Sequence, residues 1–230
     1  MINRVTTIQD KIPIKNCIIS VADKTDCADF AASLLRIVPE LTIYSTGGTY
    51  ALIENSLSPE IRKRLVNIED FTGQPEMQGG LVKTLDFKIY TGILSEPGNQ
   101  DHLRHIENIN GTAFDMVVVN LYPFQKAVAD DDCTVEDARS HIDIGGPCML
   151  RAGAKNFLRV ASVCDPSDYT PLIAEMQKNE GSLCAGTRLM LAKKAFSHTA
   201  EYDSAIETYM QLLNTDILGK VYSIGEGSAQ

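Results

Sequence analysis

Short, mainly apolar runs, each bounded by polar or turn-forming residues, punctuate the chain at Cys17–Val21, Leu41–Tyr44, Leu65–Ile68, Ile89–Leu94, Met116–Asn120 and Val160–Cys164. Short, mainly apolar runs of this kind predict strands covered on both faces, the habit of parallel sheets. Met116-Val117-Val118-Val119-Asn120 is the clearest of them, and Ile89–Leu94 also reads as strand-like. Helical spacing intervenes. Phe30, Leu34 and Leu35 recur on one helical face after a cap at Thr25 or Asp26, and a helix opens at Tyr50-Ala51-Leu52-Ile53. Ser58–Arg64 is helical or looped, and Asp101–Glu107 reads as a helix. Thr134 with Asp137 predicts a cap for a helix running to His141, and another helix runs through Met149–Asn156 with Pro147 in its first turn. Strand and helix alternate as in βαβ units.

After residue 165 the pattern changes. Leu189, Ala192, Phe196 and Ala200 keep a helical repeat through Thr187–Leu213, which predicts helices packed on the sheet or on another subunit. The expected architecture is therefore α/β, a three-layer parallel sheet in residues 1–165 with a C-terminal helical extension in 166–230, frayed from Gly225 onward.

In such folds ligands bind beyond the carboxyl ends of the strands, so the turns there matter most. Leu41–Tyr44 runs into Ser45-Thr46-Gly47-Gly48-Thr49, where glycines permit close backbone approach and a helix N-terminus favours an anion. An ordinary strand-to-helix connection has the same composition. Lys24, after the Cys17–Val21 strand, falls on the same edge, although most loop lysines are simply solvated. Thr72–Gly80 is rich in breakers and reads as a long functional loop leading to Lys83 and Thr84. Pro123 restricts Tyr122 to extended conformations near the ligand edge, or else the aromatic cluster packs beneath it. Gly145 and Gly146 leave N–H donors beside Asp143, and Asp143 and Lys155 are read as a pair across a site, with a surface ion pair or plain caps as the alternative.

Composition narrows the field. With 230 residues and 44% hydrophobic content the chain can bury a full core, and a net charge of -9 argues against non-specific nucleic-acid binding while leaving room for a local anion pocket. The six cysteines are scattered with no C-x-x-C pair, so neither a metal site nor a disulfide framework is expected. No run approaches the roughly 20 apolar residues that cross a bilayer, and no signal peptide is visible, so the expected compartment is the cytoplasm.

Taken in order, Ile19–Lys24, Ser45–Thr49, Thr72–Met77, Val82–Leu85, Asn120–Phe124, Ile142–Gly146, Ala154–Asn156 and Lys194–Ala200 resemble the inosine monophosphate cyclohydrolase family, in which this domain is joined to a carboxamide-ribonucleotide transformylase. The resemblance implies a methylglyoxal-synthase-like core, usually a homodimer, here without the transformylase: a stand-alone cyclohydrolase, or one whose partner activity, a separate formyltransferase, lies on another chain. The implied reaction closes the purine ring of 5-formamidoimidazole-4-carboxamide ribonucleotide with loss of water and needs no cofactor. It implies Lys83, Tyr122, Asp143 and Lys155 as catalytic residues. Ser20, Lys24, Ser45, Thr46, Gly47, Gly48, Thr84, Asn120, Ile144, Gly145 and Gly146 are the implied substrate-binding set.

The family pattern is not fully kept. Leu81 replaces an arginine, Asp86-Phe87 replaces His-Pro, and Tyr90 replaces a later histidine. Loss of the arginine removes a planar cationic donor from near the nucleotide. A purine-nucleotide-binding regulatory module with weakened catalysis is therefore the rival reading, and a methylglyoxal-synthase-like lyase a second one, disfavoured by the helical extension and by Ile142–Gly146.

Overall fold

The computed structural model describes residues 4–75, 83–122, 124–130 and 132–225. Leu81, Val82, Pro123, the part of the Thr72–Gly80 loop beyond Pro75, and residues 226–230 lie outside them. The strands are β1 (Lys11–Pro13), β2 (Asn16–Val21), β3 (Thr42–Ser45), β4 (Leu65–Asn67), β5 (Met116–Asn120), β6 (Ala161–Val163) and β7 (Ser182–Cys184). The helices are α1 (Cys27–Ile37), α2 (Gly47–Ser56), α3 (Pro59–Arg62), α4 (Ile68–Thr72), α5 (Phe87–Leu94), α6 (Gln100–Asn108), α7 (Phe124–Val128), α8 (Val135–Ser140), α9 (Gly145–Lys155), α10 (Tyr169–Lys178), α11 (Ala185–Gln211) and α12 (Thr215–Val221).

Five parallel strands in the order β4-β3-β2-β5-β6 form the central sheet, with β2 against β5 from Cys17 opposite Met116 to Val21 opposite Asn120. Because side chains alternate across a strand, the apolar runs feed two cores. Cys17, Ile19, Met116 and Val118 enter one beneath α1 and α10, while Ile18, Val117 and Val119 enter the other beneath α5, α9 and α11. Every residue of β5 is buried, which is why its sequence shows no alternation. The fold is thus α/β with a parallel sheet between helical layers and helices at the C-terminal end.

The segment after residue 165 is woven into this body. Tyr169 stacks on Phe30 with ring centroids 4.1 Å apart, and β7 pairs antiparallel with β1. Arg188 of α11 is fully buried, and its guanidinium donates to the carbonyl oxygens of Gln9, Asp10, Phe157, Leu158 and Leu183 at 2.6–3.1 Å. A second buried arginine, Arg159, pairs with Asp115 at 3.1 Å and donates to the carbonyls of Gly92 and Phe114, tying α5 to the sheet.

Two local expectations are corrected. Ile89–Leu94 is not a strand but most of α5, started by the Asp86 side chain accepting from the Lys88 N–H at 2.7 Å. Buried Ile89 and Ile93 are four residues apart, the spacing of one helical face, and a six-residue apolar run does not distinguish this from a strand. Asp26 does occupy the N-cap of α1, but in a left-handed conformation and without a side-chain cap. The polar turn before it is held instead by Asp23, which accepts from the Thr25 N–H and hydroxyl. By contrast, Thr134 and Asp137 form the full reciprocal capping box of α8.

Candidate active site

The carboxyl ends of β2, β3 and β5 open onto a cavity of about 310 Å³. One wall is the Thr46–Thr49 turn. Thr46 is the N-cap of α2 in extended conformation, and Gly47 then takes φ 48°, a left-handed geometry that side chains resist. A Cβ on Gly47 would lie 3.6 Å from Lys83 Nζ, and one on Gly48 would lie 3.7 Å from Lys24 Cε. The turn and its two lysines therefore share one corner of the cavity, with the α2 N-terminus aimed into it. Thr49 fixes the turn to the sheet, its hydroxyl accepting from the Val21 N–H at 3.2 Å and donating to the Val21 carbonyl at 3.1 Å. Asn120 fixes the other side: its Oδ1 accepts from the N–H groups of Ala22 and Asp23 at 2.7 and 2.8 Å, and its Nδ2 donates to the Asp23 carbonyl. Lys24 is thereby carried on a braced loop.

The opposite wall is the start of α9. A Cβ on Gly145 would come within 2.5 Å of Thr84 Oγ1, and one on Gly146 within 2.4 Å of Asp143 Oδ2, so a side chain at either position would displace a residue of the cavity wall. Asp143 Oδ1 accepts from the Gly146 N–H at 2.9 Å. Burial pushes the Asp143 carboxyl above its ordinary range, partly offset by the Gly146 and Gly145 amides. The cavity thus combines two ammonium groups, two helix N-termini and one desolvated carboxyl. Such a set can hold an anionic group at the α2 end and move a proton at the α9 end.

The model of the MGS-like domain matches residues 26–148, just over half of the chain and most of the central sheet. The chain belongs to the MGS-like domain family. The model of the AICARFT/IMPCHase bienzyme matches residues 153–226, beginning shortly after the first match ends at residue 148. Among curated proteins, the bifunctional purine biosynthesis protein PurH of Neisseria meningitidis serogroup A is 44% identical over 217 residues, covering 94% of this chain and 40% of the relative. The protein of the same description from Neisseria gonorrhoeae is 43% identical over 213 residues, covering 93% of this chain and 39% of the relative. The chain thus spans well under half the length of these relatives. A solved crystal structure of ForH superposes with a TM-score of 0.70 at 31% identity, covering 84% of this chain and 97% of that one.

Within this MGS-like fold, Ser20, Lys24, Thr46, Gly47, Gly48, Lys83, Thr84, Asn120, Tyr122, Asp143, Ile144, Gly145 and Gly146 all line the cavity. Tyr122 is at its rim, 55% exposed. Two residues expected at the site are elsewhere. Ser45 is fully buried and its hydroxyl donates to the Ile19 carbonyl at 2.7 Å, so it braces β3 against β2 behind the turn. Lys155 closes α9 and is exposed. Along a helix rising about 1.5 Å per residue, it lies roughly 15 Å from the end that carries Asp143, so the expected pairing of these two is not made.

Sequence reasoning missed His141, which lines the cavity beside Asp143, and Tyr202 of α11, which touches the same segment from behind. The Thr134–Asp137 capping box, which starts α8 and so brings its end to His141, was a usable signal; nothing in the local sequence of Tyr202 pointed to the cavity. The departures from the family pattern also find places. Asp86 caps α5, Phe87 is 64% exposed, and burial, with Cys148 and Asp143 nearby, pushes the Tyr90 phenol up. Among the described residues no cluster of His, Cys, Asp and Glu could hold a metal ion, and no helix is long and apolar enough to cross a membrane.

Proposed function

We propose that this chain is an IMP cyclohydrolase, closing the purine ring of 5-formamidoimidazole-4-carboxamide ribonucleotide with loss of water. The observation that carries the reading is the joining of an anion corner and a half-buried carboxyl in one cavity. The 44% identity to a purine biosynthesis protein supports the substrate class. In the reaction the carboxamide nitrogen forms a bond to the formyl carbon and loses one proton, the formamido nitrogen loses a second as its double bond to that carbon forms, and the formyl oxygen departs with both as water. The nitrogen is a weak nucleophile, so the substrate must be held in an attacking conformation. We assign the phosphate to the Thr46–Gly48 turn with Lys24, and Thr84 to a further contact. Asp143 takes the carboxamide proton. Lys83 donates to the formyl oxygen as it gains charge, and Tyr122 orients the base at the rim. Lys155 has no part in this scheme within one chain.

We further propose that the protein works as a homodimer supplied by a separate formyltransferase. The deciding experiment mixes the purified chain with the formylated ribonucleotide and follows inosine monophosphate formation in the presence of a chelator and without folate or nicotinamide. Turnover well above the uncatalysed rate is expected. Tight nucleotide binding without turnover would instead identify a regulatory nucleotide-binding module.

A further inference from the structure

We propose that Tyr202, on the C-terminal helix α11, is a positioning residue for Asp143; the inference rests on the cyclohydrolase reading above. Asp143 stands in the short segment between α8 and α9, outside either helix. Its carboxylate is fixed on one side by the Gly146 N–H. Its backbone is fixed on the other by Tyr202, whose hydroxyl accepts from the Asp143 N–H at 2.7 Å and donates to the His141 carbonyl at 3.3 Å. One phenol thus satisfies a donor and an acceptor two residues apart and bridges the cavity wall to a helix 59 residues later in the chain. The ring is only 8% exposed and meets Phe124 edge-on, with centroids 6.4 Å apart. Phe124 opens α7, two residues past rim residue Tyr122, so the same ring also meets the element that follows the rim.

A carboxylate tied only through the Gly146 and Gly145 amides, with nothing holding its own N–H, would move with its peptide plane. The second tie removes that freedom, and placement matters because a shift of about 1 Å in a reacting group costs as much as a hundredfold in rate. Stability alone does not require the hydroxyl, since α11 is also held by buried Arg188 and by Leu191, Ala192 and Ala195 in the cores.

The test is Tyr202→Phe, which keeps the ring and removes the hydroxyl, with Tyr209→Leu as a packing control because Tyr209 meets Phe124 without touching the Asp143 segment. In Tyr202→Phe the Asp143 amide should exchange with solvent faster. Its kcat should fall roughly ten- to a hundredfold while KM and inosine monophosphate affinity stay at the parent values. Tyr209→Leu should lower the melting temperature with the parent kcat. Parent-like kcat in Tyr202→Phe overturns the proposal, as does a loss shared equally by kcat and nucleotide affinity. If the parent chain closes no ring, the cyclohydrolase reading falls by itself and exchange alone decides: a faster Asp143 amide upholds the clip and an unchanged one removes it.

Discussion

At the scale of single residues, the cavity divides into groups that should matter for holding and groups that should matter for reacting. Lys24 and Lys83 approach the same glycine turn, yet the proposed roles differ, since only Lys83 meets charge that grows in the transition state. Lys83→Met should lower kcat by roughly 100- to 1,000-fold with a small effect on product affinity, whereas Lys24→Met should mainly weaken nucleotide binding. Steady-state kinetics and calorimetry on the two variants separate them. Asp143 gives a sign that can be checked independently. Its carboxyl is raised by burial, so the folded chain binds its proton more tightly than the unfolded chain does. Stability from this group is present below the ordinary carboxylate range and is lost as pH rises through the raised value. The base is active only when deprotonated, so the acid limb of kcat/KM should lie above the ordinary Asp range and vanish in Asp143→Asn. That variant should lose turnover yet melt no lower than the parent at neutral pH. A clear drop in melting temperature would show that the ionised carboxylate stabilises the fold.

At the scale of elements, α5 shows where sequence and fold part company. Gly92 stands in the interior of this helix, where glycine ordinarily costs about 1 kcal/mol relative to alanine. Here a Cβ would sit 2.1 Å from the Thr112 carbonyl oxygen and 2.8 Å from the Phe114 ring. Gly92→Ala should therefore destabilise, by roughly 1–3 kcal/mol, a reversal of sign readable in denaturant titration. The central strands were legible because burial on both faces leaves an apolar run with little else to become, as with Met116–Asn120. Ile89–Leu94 is a similarly short and mainly apolar run, and the Asp86 cap just before it is the local signal for helix. The cavity was legible to the same degree. Glycine pairs and lysines at strand ends are local signals, and they marked the turn, Lys24, Lys83 and the α9 start. The Asp143–Lys155 pairing was misread because it ignored the length of the helix between them. Ser45 was misread because its buried hydroxyl is used up by the Ile19 carbonyl of the neighbouring strand, a contact with no local sequence signal. The Tyr202 contact spans 59 residues, and no local pattern encodes it.

At the scale of the whole molecule, function and fastening occupy opposite edges of the sheet. The cavity lies beyond the carboxyl ends of the strands, whereas Arg188 gathers carbonyls from segments that precede β1 and β6. Arg188→Met would leave several buried carbonyls without donors and should cost about 3 kcal/mol or more, with nucleotide affinity unchanged in the folded fraction. The overall charge of -9 leaves the same division intact, because the lysines and helix N-termini at the cavity act locally. The Arg188 knot also bears on how the chain is made. Its partners include Asp10, 178 residues earlier, and β1 can find β7 only when Ser182–Cys184 exists. The first strand to leave the ribosome must wait for nearly the last helix, and closure over so long a loop belongs late in folding. Nascent chains halted before residue 182 should therefore expose the segment around Lys11 to protease, and chains extended through α11 should shield it, so that synthesis itself sets the moment at which the amino terminus is locked.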